Sequence, residues 1–305
     1  MAVRKVPTPK YDHDVNKIMK VYQRARQEIL AELLRLVDAD LTDNMTRISM
    51  ESSLVRQIDY ILQKSNTEIQ RTVEEMILES FRNGQGGLLY AVGEYDSLAH
   101  ATQGVAFSML AKQTVDAMVA DTFTDLLTAT DHTSKKLKRI VRQTVAEQMR
   151  LGIIKQSGRR LMSKAISDEL TRKGFTKRID EDGFVGIIDR KGRKWKLDTY
   201  SKMVVRTKLT QAHSEGMKIQ GIESNIDLAV ISTHGAKDSC SKFEGMVVSM
   251  NGLTAGYKTV EELRKSNKIF HPNCEHTFYP IRNLDVLSDK EREIHEAKSK
   301  NIKNI

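Results

Sequence analysis

Residues 15–36 read VNKIMKVYQRARQEILAELLRL, and the spacing of their apolar side chains decides the class of fold. Val15, Ile18, Tyr22, Ala25, Ile29, Leu33 and Leu36 recur at steps of three and four, which puts them on one face of a helix. The pattern predicts a helix over 12–39. Asp43 or Asn44 can cap a second helix, in which Leu54, Ile58, Ile61, Ser65, Ile69, Val73 and Met76 keep the same period to about Arg82. Asn83-Gly84 and Gly86-Gly87 then predict a break. Two long helices with narrow apolar stripes suggest a hairpin or coiled-coil arm, with a packed two-helix core as the alternative.

Working outward, residues 103–129 and 135–151 read as two further helices, with Asp131 as the cap between them. Gly152 and Gly158 mark a break, and 159–173 reads as a short helix closed by Gly174. Only 4 prolines in 305 residues leave long helices uninterrupted. The character changes after Gly174. Residues 184–188 read as a strand, 189–192 as a turn and 193–195 as a short return strand, a β-hairpin. Asp198 can cap a helix to about Ile222, followed by strands at 228–232 and 246–249 and a short helix at 260–266. Asp285 or Ser288 opens a charged C-terminal helix. The expected class is mainly α, with long N-terminal helices followed by a small α+β C-terminal domain. The expected divisions are 1–174, 175–285 and a charged tail at 286–305.

Composition removes several functions. No stretch approaches the ~18 apolar residues of a membrane span, and residues 1–14 lack the apolar region of a secretory leader. Two cysteines cannot build a disulfide scaffold. The formal net charge is +9, and its distribution matters more than its size. Residues 1–134 carry 14 Lys+Arg against 19 Asp+Glu, residues 135–196 carry 19 against 7, and residues 197–305 carry 16 against 14. The whole excess therefore lies in 135–196.

That segment holds Lys135, Lys136, Lys138, Arg139 and Arg142, then Arg159, Arg160 and Lys164, then Arg190, Lys191, Arg193 and Lys194. Such a cluster suits phosphate contacts that release counterions and read no sequence. No base-reading module accompanies it. A solvated face, or one that meets an acidic protein, would have the same composition.

The chemistry-bearing residues lie in the mixed C-terminal part. Ser232-Thr-His234-Gly-Ala-Lys-Asp-Ser-Cys240 and His271-Pro-Asn-Cys274-Glu-His276 bring both cysteines close to histidines. Thiolate and imidazole are the usual zinc ligands, and four close a structural site. His234, Cys240, Cys274 and His276 would supply them, with His271 a fifth candidate. A zinc staple suits a small subdomain with few apolar residues. The bland alternative is two buried cysteines and locally bonded histidines. A metal-dependent nuclease is the enzymatic alternative, but no carboxylate pair supports it and no catalytic residue is assigned. Arg206-Thr207, with the small residues Ala212 and Gly216 following, suggests a buried structural arginine that ties a closely packed helix to the strands, with a surface arginine as the alternative.

These residues also carry a family resemblance. Gly183-Phe-Val-Gly186, Asp189-Arg-Lys-Gly-Arg-Lys-Trp195, Tyr200, Met203-Val-Val-Arg-Thr207, Ala212 and Gly216 come first. Ser232-Thr-His-Gly-Ala236, Cys240-Ser-Lys-Phe-Glu-Gly245, Val248-Ser249 and His271-Pro-Asn-Cys-Glu-His276 follow in order. The series resembles the phage minor capsid protein 2 family, within the wider group of Mu F-like head morphogenesis proteins, over roughly residues 158–282. Two departures stand out: Lys237 where some relatives have a cysteine, and Phe243 where a tryptophan is common.

The resemblance implies a virion protein rather than an enzyme, with structural roles for Arg206, Thr207, Trp195 and Gly245. It would be associated with the portal inside the head after assembly in the host cytoplasm. Its expected partners are the portal protein, a major capsid or scaffolding protein, and double-stranded DNA bound without sequence preference and followed on ejection. A stand-alone DNA-binding protein is the remaining alternative.

Overall fold

The structure, a computed structural model, describes residues 4–38, 44–154, 161, 164–165, 168–169, 187–188, 193–195 and 197–301. In chain order the helices are α1 (Asp12–Asp38), α2 (Asn44–Ala91), α3 (Leu98–Gln103), α4 (Met109–Ile154), α5 (Leu197–Glu223), α6 (Val260–Lys265) and α7 (Asp289–Asn301). The strands are β1 (Ile187–Ile188), β2 (Lys194–Trp195), β3 (Leu228–Ile231), β4 (Val247–Ser249) and β5 (Phe278–Pro280). The class is the expected one, long helices and then a small α+β region. The expected helix at 159–173 and the start of the strand at 184 lie largely outside the described residues.

The chain divides into two compact units. One holds Asp14–Thr72 and Phe123–Lys202. Here Val15, Ile18, Tyr22, Ala25 and Ile29 of α1 are buried, as are Leu54, Ile58, Ile61, Ser65 and Ile69 of α2. The ion pairs Arg24–Glu68 and Lys64–Glu28 run antiparallel between the two helices. α4 joins them. Ser134 and Lys138 reach Asp59, at 3.0 and 2.5 Å, and Arg142 reaches Glu51 at 3.6 Å, so α4 is antiparallel to α2. Leu126, Ala129, Leu137, Ile140 and Val141 supply its buried face. The hairpin is therefore part of a three-helix packing, not a free arm.

Two breaks expected from sequence do not occur. α4 runs through Asp131, which is exposed in mid-helix. Residues 109–151 contain no Gly or Pro, and the hydroxyls of Thr130 and Thr133 donate to the Leu126 and Ala129 carbonyls within the helix. One aspartate costs only a few tenths of a kcal/mol there.

Nor does α2 stop at Asn83-Gly84; it continues through the glycines to Ala91. This happens in the second unit, which holds Met1–His13, Val73–Thr122 and Met203–Ile305. A Cβ at Gly84 would lie 2.0 Å from the His213 carbonyl oxygen of α5, and one at Gly216 would lie 2.0 Å from the Phe81 carbonyl oxygen of α2. The two helices touch backbone to backbone at reciprocal glycines. Packing gained there outweighs the ~1 kcal/mol per residue that glycine costs a helix. Ser80 adds a hydrogen bond across the same contact, donating to the Leu209 carbonyl at 2.8 Å.

The sheet of this unit has the order β4-β3-β5, antiparallel throughout. Alternation along the strands divides its faces. Ala229, Ile231, Val248 and Phe278 join a core with Leu88, Met217, Phe243 and Leu263. Val230, Val247 and Tyr279 pack with Ile281 and Leu287 on the other side. β5, beside the His-Pro-Asn-Cys run, is the strand not expected from sequence. In the other unit β1 pairs with β2, Ile187 opposite Trp195, which is the expected hairpin. No helix of the described residues is long and apolar enough to cross a membrane.

Candidate metal centre

Cys240 is placed by a 3-10 turn, Ser239–Lys242, whose first residue boundary is set by Asp238: its carboxylate accepts the Cys240 amide at 3.0 Å. The thiol is buried and faces three groups. These are the Lys268 carbonyl at 3.4 Å, His271 Nε2 at 3.2 Å and Cys274 Sγ at 3.9 Å. Burial, then the neighbouring Cys274, push the Cys240 thiol up to about 12. In the absence of a cation it is therefore a neutral S–H.

The second cluster is a tight turn. Asn273 has φ +62°, a conformation asparagine tolerates, and the Cys274 amide donates to the His271 carbonyl at 2.9 Å. His271 Nδ1 lies 3.0 Å from the Pro272 carbonyl, which can only accept. Nδ1 thus carries a proton, and Nε2 faces Cys240.

Beyond the turn, Cys274 Sγ is 3.4 Å from His276 Nδ1, and His276 Nε2 is 3.2 Å from Glu244 Oε1. By the same reasoning Nε2 donates to the carboxylate and leaves Nδ1 free toward sulfur. A carboxylate behind an imidazole in this way fixes the ring that ligates a metal.

Glu244 is itself held. Its Oε1 accepts the backbone amides of His234 and Ala236, each at 3.0 Å. Burial pushes its pKa up, but the two amides and His276 outweigh it and bring it down to about 2. The carboxylate stays charged. The His276 pKa is lowered too, with the opposite effect on charge: burial, then His234, favour its neutral form over the pull of Glu244.

The ligand atoms of Cys240, Cys274 and His276 all lie within 4.8 Å of one another. In a tetrahedral zinc site such atoms sit ~3.3–3.8 Å apart, given Zn–S of about 2.3 Å and Zn–N of about 2.0–2.1 Å. The 3.9 Å between sulfurs and 3.4 Å from sulfur to nitrogen are close to that geometry. His271 groups with Cys240 and Asp238, and His234 groups with Glu244 and His276. The His234 ring is exposed and lies tilted against His276, 4.1 Å between centroids and 41° between planes. It thus lies on the side of His276 that faces Glu244. An open cleft, lined in part by Arg206, Thr210, Arg264, Cys274 and His276, borders the cluster.

Glu244 is the member of this cluster that linear reasoning missed. It lies inside Cys-Ser-Lys-Phe-Glu-Gly, and no spacing marks it as the partner of a histidine 32 positions on.

The other singled-out residues are dispersed. Arg206 is part-exposed and pairs with Asp12, not with the strands. The Thr207 hydroxyl donates to the Met203 carbonyl at 2.8 Å. Gly245 has φ +76°, which favours glycine, and its amide donates to the Ile231 carbonyl. Trp195 lies under the Arg193 guanidinium at 5.2 Å.

Of the basic residues, Lys135, Arg139, Lys164 and Arg193 are exposed and Lys136 is half-buried. Lys138 and Arg142 are engaged by Asp59 and Glu51. Arg159, Arg160, Arg190 and Lys191 lie outside the described residues, and of Lys194 only the backbone pairing in β2 is described.

A family model described as Phage minor capsid protein 2 matches residues 8–305. No curated protein and no solved structure matches the chain.

Proposed function

The chain belongs to the phage minor capsid protein 2 family and is thus a phage head protein, and from that premise we propose that it acts at the portal vertex, inside the head. The observation that carries this is a family match over residues 8–305, nearly the whole chain. Its work is structural: it joins the portal to other head components, the major capsid or scaffolding protein among them, and travels with the genome on ejection. The helical unit and its basic surface support contact with packaged double-stranded DNA through phosphates alone. Lys135 and Arg139 are the described residues best placed for it, being exposed on one helix. Co-expression with the portal protein tests the main claim. Co-purification with portal rings is expected, and recovery with DNA alone would overturn it.

In the C-terminal part, Cys240, Cys274 and His276 hold a structural zinc in this reading, with His271 the nearest fourth ligand through its 3.2 Å approach to Cys240. The support is a soft donor set at near-tetrahedral spacing, with Glu244 behind His276. Zinc would tie the turn at 271–274 to the turn at 239–242. Elemental analysis of the native protein is expected to find about one zinc per chain; none would end the assignment.

A further inference from the structure

Cys240 and Cys274 are the only two cysteines of the chain and are both free. Their sulfurs are 3.9 Å apart although 34 residues separate them. We propose that they form a reversible redox pair that closes to an intramolecular disulfide when no metal holds the thiols. The pair does not depend on the zinc reading: it needs only two sulfurs brought face to face and one of them within reach of solvent.

Both conditions are met. Cys274 is half-buried and lines the open cleft, whereas Cys240 lies behind it, buried in the core. Cys274 is therefore the cysteine that a small disulfide such as oxidised glutathione meets first. Each sulfur also has its own imidazole, His276 Nδ1 at 3.4 Å from Cys274 and His271 Nε2 at 3.2 Å from Cys240.

The chemistry is two exchanges. Cys274 Sγ attacks one sulfur of glutathione disulfide. That S–S bond breaks, a mixed disulfide forms on Cys274, and one glutathione leaves. Cys240 Sγ then attacks Cys274 Sγ, the mixed disulfide breaks and the second glutathione leaves. The two thiol protons end on the two released glutathiones. The two electrons lost by the cysteines reduce one glutathione disulfide to two thiols. The sulfurs then close from 3.9 Å to a bonding distance of about 2.05 Å. A virion protein is made in a reducing cytosol and later meets oxidising surroundings, so both states fall within the life of the particle.

The test uses the full chain, purified with reductant and divided after its zinc content is measured. One portion is treated with chelator and both are incubated with oxidised glutathione. Free thiols, intact mass and non-reducing electrophoresis are then read. The expected result for the chelated, or naturally metal-free, protein is loss of both thiols, a mass lower by two hydrogens and a monomeric band. In Cys240→Ser the reaction should stop at one glutathione on Cys274.

Two free thiols in the folded protein after chelation, or in protein found to be metal-free, when the same chain in denaturant is oxidised, would overturn the proposal. So would glutathione on both cysteines, or a disulfide-linked dimer. Absence of zinc in the starting protein removes the zinc reading alone and leaves this result to be read directly.

Discussion

A methyl group added at Gly216 would meet the Phe81 carbonyl oxygen at 2.0 Å. On an exposed helix, glycine to alanine stabilises by about 1 kcal/mol. Here the sign should reverse: Gly216→Ala is expected to cost about 1–3 kcal/mol through overpacking, read as a lower urea midpoint. A raised midpoint would mean that α2 and α5 do not touch there.

Asp227 makes a second prediction at this scale. Its carboxylate accepts from the Ser249 hydroxyl at 2.5 Å and from the Asn251 and Thr254 amides at 2.8 Å. Burial raises its pKa, but these bonds prevail and hold it below the ordinary 3.8. A depressed carboxylate stabilises the fold above the unfolded value and loses that contribution as pH falls below it. Stability should therefore decline below about pH 4, and Asp227→Asn should flatten this part of the pH profile. An unchanged profile would remove Asp227 from the account. Reading single residues from sequence singled out Cys240, Cys274 and His276, whose types name their chemistry and whose ligand atoms the fold brings together. It missed Glu244 because a glutamate in a polar run has no distinguishing type or spacing.

At the scale of elements, periodicity located most helices but not their ends. α4 is one helix because nothing between 109 and 151 stops it. His132→Pro separates the two readings. Proline is tolerated at the first position of a helix capped by Asp131, but in the interior of α4 it should cost about 3 kcal/mol or more. Loss of helical circular dichroism and a lower unfolding midpoint are expected; a native-like melt would restore the boundary at Asp131. The glycines at 84–87 misled in the same way. They read as a breaker locally, whereas the close approach of α5 at Gly84 and of α3 at Gly86 is what selects them. β5 is short and follows a cluster of polar residues, so its pairing with β3 was not legible.

At the scale of the whole molecule, the segmental charge count survives but changes meaning. Part of the excess on 135–196 is spent inside the helical unit, where Lys138 and Arg142 meet Asp59 and Glu51. If DNA is the partner, each lost phosphate contact should lower the salt slope of binding by about 0.9. Lys135→Glu with Arg139→Glu is thus expected to flatten the slope by roughly two contacts. Lys138→Gln with Arg142→Gln should instead leave binding nearly unaltered and lower stability. Filter binding over a salt series measures both; equal effects of the two pairs would refute the division.

By itself the sequence determined the helical class, the basic segment, the cysteine and histidine pairs and the family. All of these are carried by residue type and short spacing, which a linear text preserves. Tertiary structure alone decided that α2 passes through its glycines, that α4 covers the hairpin, that Glu244 stands behind His276 and that the two sulfurs lie 3.9 Å apart. Those outcomes depend on contacts between residues far apart in the chain. Their energy comes from packing and burial at the meeting point, and no local pattern records it.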